Sequence, residues 1–264
     1  MLRPYDDIRP MIGLFDSGVG GLSVLRAVRK LLPSHDMIYL ADSAYCPYGP
    51  LPLAEVRARS LACARWLVAH GAQLVVVACN TATSAAIELL RSELAVLVVG
   101  TEPGVKPAAE ATRSGHVGVL ATSSTLGGAR LATLVERFAG GLTVHTVAAP
   151  GLVTQVERGE LTSAYTRKLS STYLKPLLGA GCDVIVLGCT HFPFLRPLIA
   201  ELAGPSVTII DTGPAVAAQA ARLAAGQPSG SGALRFATTG EPSLVAGTVA
   251  AVWGVEMAVE RAEC

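Results

Sequence analysis

The chain has 264 residues, of which 51% are hydrophobic and 16% charged, and its formal net charge is +1 at pH 7. That length admits one large or two small domains, and the apolar fraction is ample for real cores. The near-neutral balance leaves no electrostatic footprint for nucleic acid or for an acidic surface.

Residues 1–11, MLRPYDDIRPM, carry two acids and two prolines, so no signal peptide is expected there. No apolar run reaches the roughly 18 residues that span a membrane, which points to a cytoplasmic protein without a membrane partner. The six cysteines (46, 63, 79, 182, 189 and 264) include no CxxC, and no two histidines stand at helical metal spacing. Neither a disulfide framework nor a metal site is expected from that spacing.

In chain order, Met11 to Phe15 reads as a strand, Asp16 to Gly21 (DSGVGG) as a turn, and Leu22 to Leu32 as an amphipathic helix closed by Pro33. Asp36 to Ala41 is a second strand ending at Asp42, followed by a loop, SAYCPYGPLP, too rich in proline and glycine for regular structure. Leu53 to His70 is a helix stopped by Gly71. Gln73 to Ala78 is an apolar strand ending at Cys79, Thr81 to Leu94 a helix, and Ala95 to Gly100 a strand. Thr101 to Gly104 looks like a crossing into a second half.

There, His116 to Ala121 is a strand, Thr125 to Phe138 a helix, and Leu142 to Val147 a strand. Gly151 to Arg158 and Thr162 to Leu178 read as helices, and Asp183 to Gly188 as a strand ending at Cys189. Pro197 to Ala203 is a helix, Val207 to Ile210 a strand and Pro214 to Ala225 a helix, before a flexible QPSGSG loop at 227–232. A last strand (Leu234 to Thr238) and helix (Pro242 to Trp253) could join either half. The alternation of strand and helix predicts an α/β fold with parallel sheets.

Two stretches say the same thing twice. QLVVVACNTAT (73–83) and DVIVLGCTHF (183–192) each run an unbroken apolar strand into a small residue, a thiol and polar side chains. Such runs read as strands buried on both faces, whose carboxyl ends are where open α/β sheets place ligands. The thiols are 110 residues apart, and Ile12–Ser17 matches Val117–Thr122 at an offset of 105. Two similar halves would face Cys79 and Cys189 across one cleft. A helix N-terminus after each thiol would favour thiolate. Asp16 and His191 are the acid–base partners at hand, against the plainer readings of a helix cap and a satisfied loop histidine.

Competing chemistries fare poorly. Gly18-Val19-Gly20 is a GxG, but Ser23 stands where a third glycine belongs, and Asp16 would repel a pyrophosphate. No GxSxG surrounds Ser17. A pyridoxal phosphate enzyme needs a reactive lysine, and Lys30, Lys106, Lys168 and Lys175 all sit in surface-like helices or loops. Cys63 and Cys182 read as small core hydrophobes. A redox pair of Cys79 and Cys189 is the remaining alternative of a different class.

FDSGVGGLSVL, CPYG, VVACNTATSAA, EPGVKPA and LGCTHFP, in this order from Ile12 to about Glu256, resemble the glutamate racemases of the aspartate/glutamate racemase superfamily. The resemblance implies a cofactor-independent racemase interconverting L- and D-glutamate for peptidoglycan synthesis. Cys79 would exchange the α-proton on the D side with help from Asp16, and Cys189 on the L side with help from His191 and Glu157. Substrate contacts would come from Asp16, Ser17, Tyr48, Gly49, Asn80, Thr81, Thr190 and His191, with Thr122 and Thr125 holding a carboxylate. It also implies two similar α/β domains related by a pseudo-twofold axis, 1–102 plus 212–264 and 103–211, with the site between them. Oligomeric state varies within the family, a homodimer included. Some members are reported to act on DNA gyrase; with both thiols and both helpers intact, loss of catalysis is not expected here. Ser43 replaces the usual threonine after LAD and Gly104 the alanine after EP; neither touches a catalytic role.

Overall fold

Residues 11–226 and 229–264 are described in the computed structural model of the chain. The expectations for the arm before Met11 and for Gln227 and Pro228 of the QPSGSG loop lie outside them. In chain order the strands are β1 (Met11–Asp16), β2 (Asp36–Ala41), β3 (Ala72–Val77), β4 (Leu97–Gly100), β5 (His116–Ala121), β6 (Thr143–Ala148), β7 (Val184–Gly188), β8 (Thr208–Ile210), β9 (Leu234–Thr238) and β10 (Val259–Arg261). The helices are α1 (Leu22–Leu31), α2 (Leu53–Ala69), α3 (Asn80–Glu93), α4 (Val105–Ala111), α5 (Ser123–Leu126), α6 (Ala129–Phe138), α7 (Leu152–Glu157), α8 (Ala164–Gly179), α9 (Arg196–Ala203), α10 (Gly213–Ala224) and α11 (Pro242–Trp253). Short 3₁₀ turns occupy Ser43–Tyr45 and Phe192–Leu195.

Two sheets form, one of six strands in the order β10-β9-β2-β1-β3-β4 and one of four in the order β6-β5-β7-β8. Every strand pair is parallel. This is the mixed α/β fold that the alternation of elements implies. In each sheet the first strand of its half sits centrally, flanked by the next two: β1 by β2 and β3, β5 by β6 and β7. Phe15 pairs with Val77, and Leu120 with Leu187, so the offsets of 105 and 110 in the sequence are one pairing written twice. The order β2-β1-β3 reverses direction at β1, which opens a crevice beyond the carboxyl ends of β1 and β3. The same reversal at β5 opens a second, beyond β5 and β7.

After the four-stranded sheet the chain returns to the first: α10 packs on α1 and on β3 and β4, and β9 and β10 extend the six-stranded sheet. A buried apolar cluster runs across both sheets, joining Leu14, Tyr39 and Val76 to Leu152, Leu187 and Phe192. A second lies under α2 and α3 around Phe15, Val77, Leu67 and Leu90. A third lies under α4 and α6 around Val119, Val186 and Leu131.

Four details differ from the sequence reading. The helix expected from Thr125 to Phe138 is two, α5 and α6, broken at Gly127 and Gly128. A Cβ on Gly128 would lie 2.3 Å from Ser84 Oγ on α3, so the chain must thin and turn there. The loop after Asp42 holds a 3₁₀ turn, which three residues ahead of the first proline can form. Neither α4, with a proline in its first turns, nor the three-residue β10 was anticipated. Among the described residues no helix is long and apolar enough to cross a membrane.

Candidate active site

The carboxyl ends of β1, β3, β5 and β7 converge on one narrow cleft. Ala78 N donates to Phe15 O at 2.8 Å, which sets Asp16 beside the Cys79 strand end. Cys79 is the N-cap of α3, and its Sγ accepts from Ala82 N at 3.5 Å. Behind it, Thr101 Oγ1 donates to Val77 O at 2.8 Å and Thr101 N to Thr83 Oγ1 at 2.9 Å, which pins the end of β3. Cys189 follows Gly188 at the end of β7, paired to Ala121 of β5, so Thr122 emerges next to it. Both thiols are buried, free and line the cleft from different sheets.

The two thiols have unlike neighbours. Cys79 stands against Asp16, a fully buried carboxylate that also accepts from Ser17 N (2.7 Å) and from Thr190 Oγ1 (2.9 Å). Burial, and then the adjacent Asp16, push the Cys79 thiol well above its usual range. For Cys79 that runs against the expectation of a helix-stabilised thiolate: the one amide donor at the helix N-terminus, Ala82 N, does not outweigh desolvation beside a carboxylate. Burial likewise raises Asp16, against the opposing pull of His191. Cys189 Sγ instead lies 3.8 Å from His191 Nδ1, and His191 Nε2 lies 2.6 Å from Glu157 Oε1. Burial alone would lower the His191 pKa, yet hydrogen bonds to Cys189, Cys46 and Glu157 carry it well above normal. Burial alone would raise Glu157, but the His191 contact and a 2.7 Å bond from Val19 N hold it below the usual carboxylate range. One thiol therefore faces a carboxylate and the other an imidazolium.

The glycines of DSGVGG have their reason here. A Cβ on Gly20 would lie 2.1 Å from His191 Nδ1, and one on Gly18 would lie 2.0 Å from Glu157 Oε1. The turn is thinned to admit the His191–Glu157 pair beside Cys189.

Of the residues expected at the site, Asp16, Ser17, Tyr48, Gly49, Asn80, Thr81, Thr122, Thr190 and His191 line the cleft with the two thiols. Glu157 and Thr125 stand one layer back. Thr125 Oγ1 meets Thr122 Oγ1 at 2.9 Å, and Thr122 Oγ1 meets Thr81 Oγ1 at 3.1 Å across the two sheets. The Tyr48 hydroxyl donates away from the cleft to Asp42, which Arg59 also grips at 2.7 Å. Asn80 Nδ2 reaches Thr101 O at 3.5 Å, while its buried Oδ1 has no hydrogen-bond partner among the described residues. Sequence reasoning missed three neighbours: Pro47 and Val153, which wall the cleft, and Cys46, whose thiol lies within 4.8 Å of ligand atoms of Glu157 and His191. Val153 was findable, since it lies one helical turn before Glu157 on α7.

The profile of the Asp/Glu/Hydantoin racemase family matches residues 22–220. The glutamate racemase of Herpetosiphon aurantiacus is 49% identical over 237 residues, 88% of this chain and 93% of that one. Among solved structures, a glutamate racemase isoform of Bacillus anthracis superposes with a TM-score of 0.88 at 31% identity, over 96% of this chain and 97% of that one. The Escherichia coli glutamate racemase, solved with L-glutamate and the activator UDP-MurNAc-Ala, gives a TM-score of 0.86 at 30% identity over 96% and 97% of the two chains. The chain belongs to the Asp/Glu/hydantoin racemase family of isomerases, and within it to the glutamate racemases, with their two-domain fold.

Proposed function

We propose that this chain racemises glutamate by proton transfer between two thiols on opposite sides of Cα, without a cofactor. The observation that carries the reading is the unlike pairing of the thiols, Cys79 with Asp16 and Cys189 with His191 and Glu157, around one cleft. A two-base racemase needs one base empty and one loaded at the start of each turnover. Cys189, with a cation beside it, takes the α-proton of L-glutamate; Cys79, holding its proton against Asp16, delivers one to the opposite face. The carbanion between these steps needs stabilisation because an amino-acid α-proton is far too weakly acidic for a thiolate alone. Preorganised donors around the α-carboxylate supply it. The cleft offers the hydroxyls of Ser17, Thr81, Thr122 and Thr190, and no arginine among its lining residues. Asn80 Oδ1, without a partner among the described residues, suits the substrate ammonium.

The division into 1–102 plus 212–264 and 103–211 belongs to the same reading, supported by two sheets whose strands fall on either side of those boundaries. A cytoplasmic enzyme supplying D-glutamate for peptidoglycan, acting on a small molecule and not on nucleic acid, is the corresponding physiological role; a homodimer is compatible with it.

The test is α-proton exchange in deuterium oxide with D- and L-glutamate, using the wild type, Cys79→Ser and Cys189→Ser. Each variant should lose racemisation, and each should eliminate a β-leaving group from one enantiomer only of a halogenated glutamate. A wild-type protein that leaves the α-position of both enantiomers undeuterated would exclude the reading.

A further inference from the structure

Cys46 is absent from the proton-transfer scheme and does not line the cleft, yet its thiol stands close to Glu157 and His191. The side-chain ligand atoms of Cys46, Glu157 and His191 all lie within 4.8 Å of one another. They come from three separate segments: the loop after the first 3₁₀ turn, the last residue of α7 and the turn after β7. Gly18 makes the room, since a Cβ there would lie 2.8 Å from Cys46 Sγ as well as 2.0 Å from Glu157 Oε1. A sulfur, an imidazole nitrogen and a carboxylate oxygen are the donor set of a three-ligand zinc site with one open position. Tetrahedral bonds of about 2.0–2.3 Å need ligand atoms about 3.3–3.8 Å apart, so rotamer adjustments of about 1 Å close the site. The sequence argument against a metal rested on spacing along the chain. Here the ligands are 111 and 34 residues apart, and only the fold assembles them.

We propose that Cys46, Glu157 and His191 form an inhibitory site for a thiophilic divalent cation of the Zn²⁺ type. Binding replaces two protons, one from the Cys46 thiol and one from the imidazolium, so the bound charges are thiolate, carboxylate and dication, with neutral histidine. Occupancy strengthens as pH rises, because protons compete for two of the ligands. Bound at Nε2, the cation replaces the His191–Glu157 hydrogen bond and leaves a neutral imidazole beside Cys189, and it ties the Cys46 loop of the first sheet to two elements of the second. The inhibitory consequence, though not the binding, rests on the role given to His191 above.

The experiment uses the full chain, freed of metal by chelation, and titrates it with Co²⁺ and Zn²⁺. Co²⁺ reports a thiolate ligand by a sulfur-to-metal charge-transfer absorption and tetrahedral geometry by intense visible bands. The wild type and the Cys79→Ser/Cys189→Ser double variant should both show these bands, saturating at one cation per chain. Adding Cys46→Ala to the double variant should abolish the charge-transfer band, and Glu157→Gln should weaken Co²⁺ binding at least tenfold. In the otherwise unaltered enzyme, Zn²⁺ should inhibit proton exchange, with at least tenfold less potency against Cys46→Ala. Thermal melting of each variant confirms that it folds, and Cys46→Ser provides a closer replacement if the alanine does not. Bands that survive loss of Cys46, or that vanish in the double variant, would overturn the proposal, the latter by placing the cation on the catalytic thiols. Because the Co²⁺ spectrum requires no turnover, a protein that fails to racemise glutamate still tests the site.

Discussion

His191 holds the centre of the proposed scheme, and its surroundings make two predictions. A methyl group at position 20 would collide with the imidazole, so Gly20→Ala must displace His191 from Cys189. A misplacement of about 1 Å in a catalytic group costs about 10²-fold in rate, so kcat/KM for glutamate should fall by roughly that factor. The loss must be equal in both directions, since the equilibrium constant between enantiomers is unity by symmetry. A circular dichroism melt near the wild-type one would show that the loss is local. The second prediction concerns pH. Glu157 is lowered on folding, so its partnership stabilises the protein above the unfolded carboxyl pKa and is lost as pH falls through the folded value. His191 is raised, so its contribution is full below the unfolded histidine pKa and is lost as pH rises through the folded value. The difference in Tm between wild type and Glu157→Gln should therefore be greatest at mildly acid pH and shrink on both sides. A difference that does not change with pH would mean that the pair is not ionic.

At the scale of elements, the ends of strands hold the site and buried ion pairs hold the ends. Asp42 follows β2, is fully buried, and takes donors from Arg59 on α2, the Tyr48 hydroxyl and Thr239. Removing the guanidinium leaves a buried carboxylate with only neutral donors. Arg59→Ala should lower stability by about 3 kcal/mol, the low end for breaking a buried pair. Asp42→Asn in the same background should recover part of that loss in a denaturant titration. This cluster also shows what was legible beforehand. Asp42 was visible as the end of a strand, but nothing in the sequence said that Arg59, 17 residues on, would turn back to it. The thiol strands were legible because unbroken apolar runs ending in reactive side chains have few other readings. The break between α5 and α6 was not, because its cause is the approach of Ser84 from another helix. Glu157 was reached only through family resemblance, since an acid at the end of a one-and-a-half-turn helix looks like surface until Val19 and His191 close over it.

For the molecule as a whole, the two sheets are joined unequally around the cleft. On the side of α1, α7 and the Phe192 turn they share one buried apolar cluster, which includes Val19, Val156 and Phe192. On the side of the threonines the links are polar and few: Thr81 to Thr122 at 3.1 Å, Ser124 Oγ to Gly49 O at 2.6 Å, and the half-exposed Arg130 with Glu88 and Glu102. Each such hydrogen bond is worth about 1 kcal/mol and exposed ion pairs less, whereas separating the apolar face would cost far more. The expected motion is therefore a hinge about the apolar side, with the mouth at the threonines. The rim is held only by these weak polar links and the part-exposed Arg130 ion pairs, so on the proposed reading a substrate that bridges Ser17 and Asn80 of one half to Thr122 and Thr190 of the other would supply much of the closing energy. Small-angle scattering should show a smaller radius of gyration with saturating D-glutamate than without it. Ser124→Ala removes one closing contact and leaves the thiols and their partners untouched. It should raise KM by roughly fivefold, the weight of one hydrogen bond at about 1 kcal/mol, with little change in the isotope effect on proton transfer. Identical scattering profiles with and without ligand, together with an unchanged KM, would mean that the cleft is fixed and that glutamate enters without a hinge.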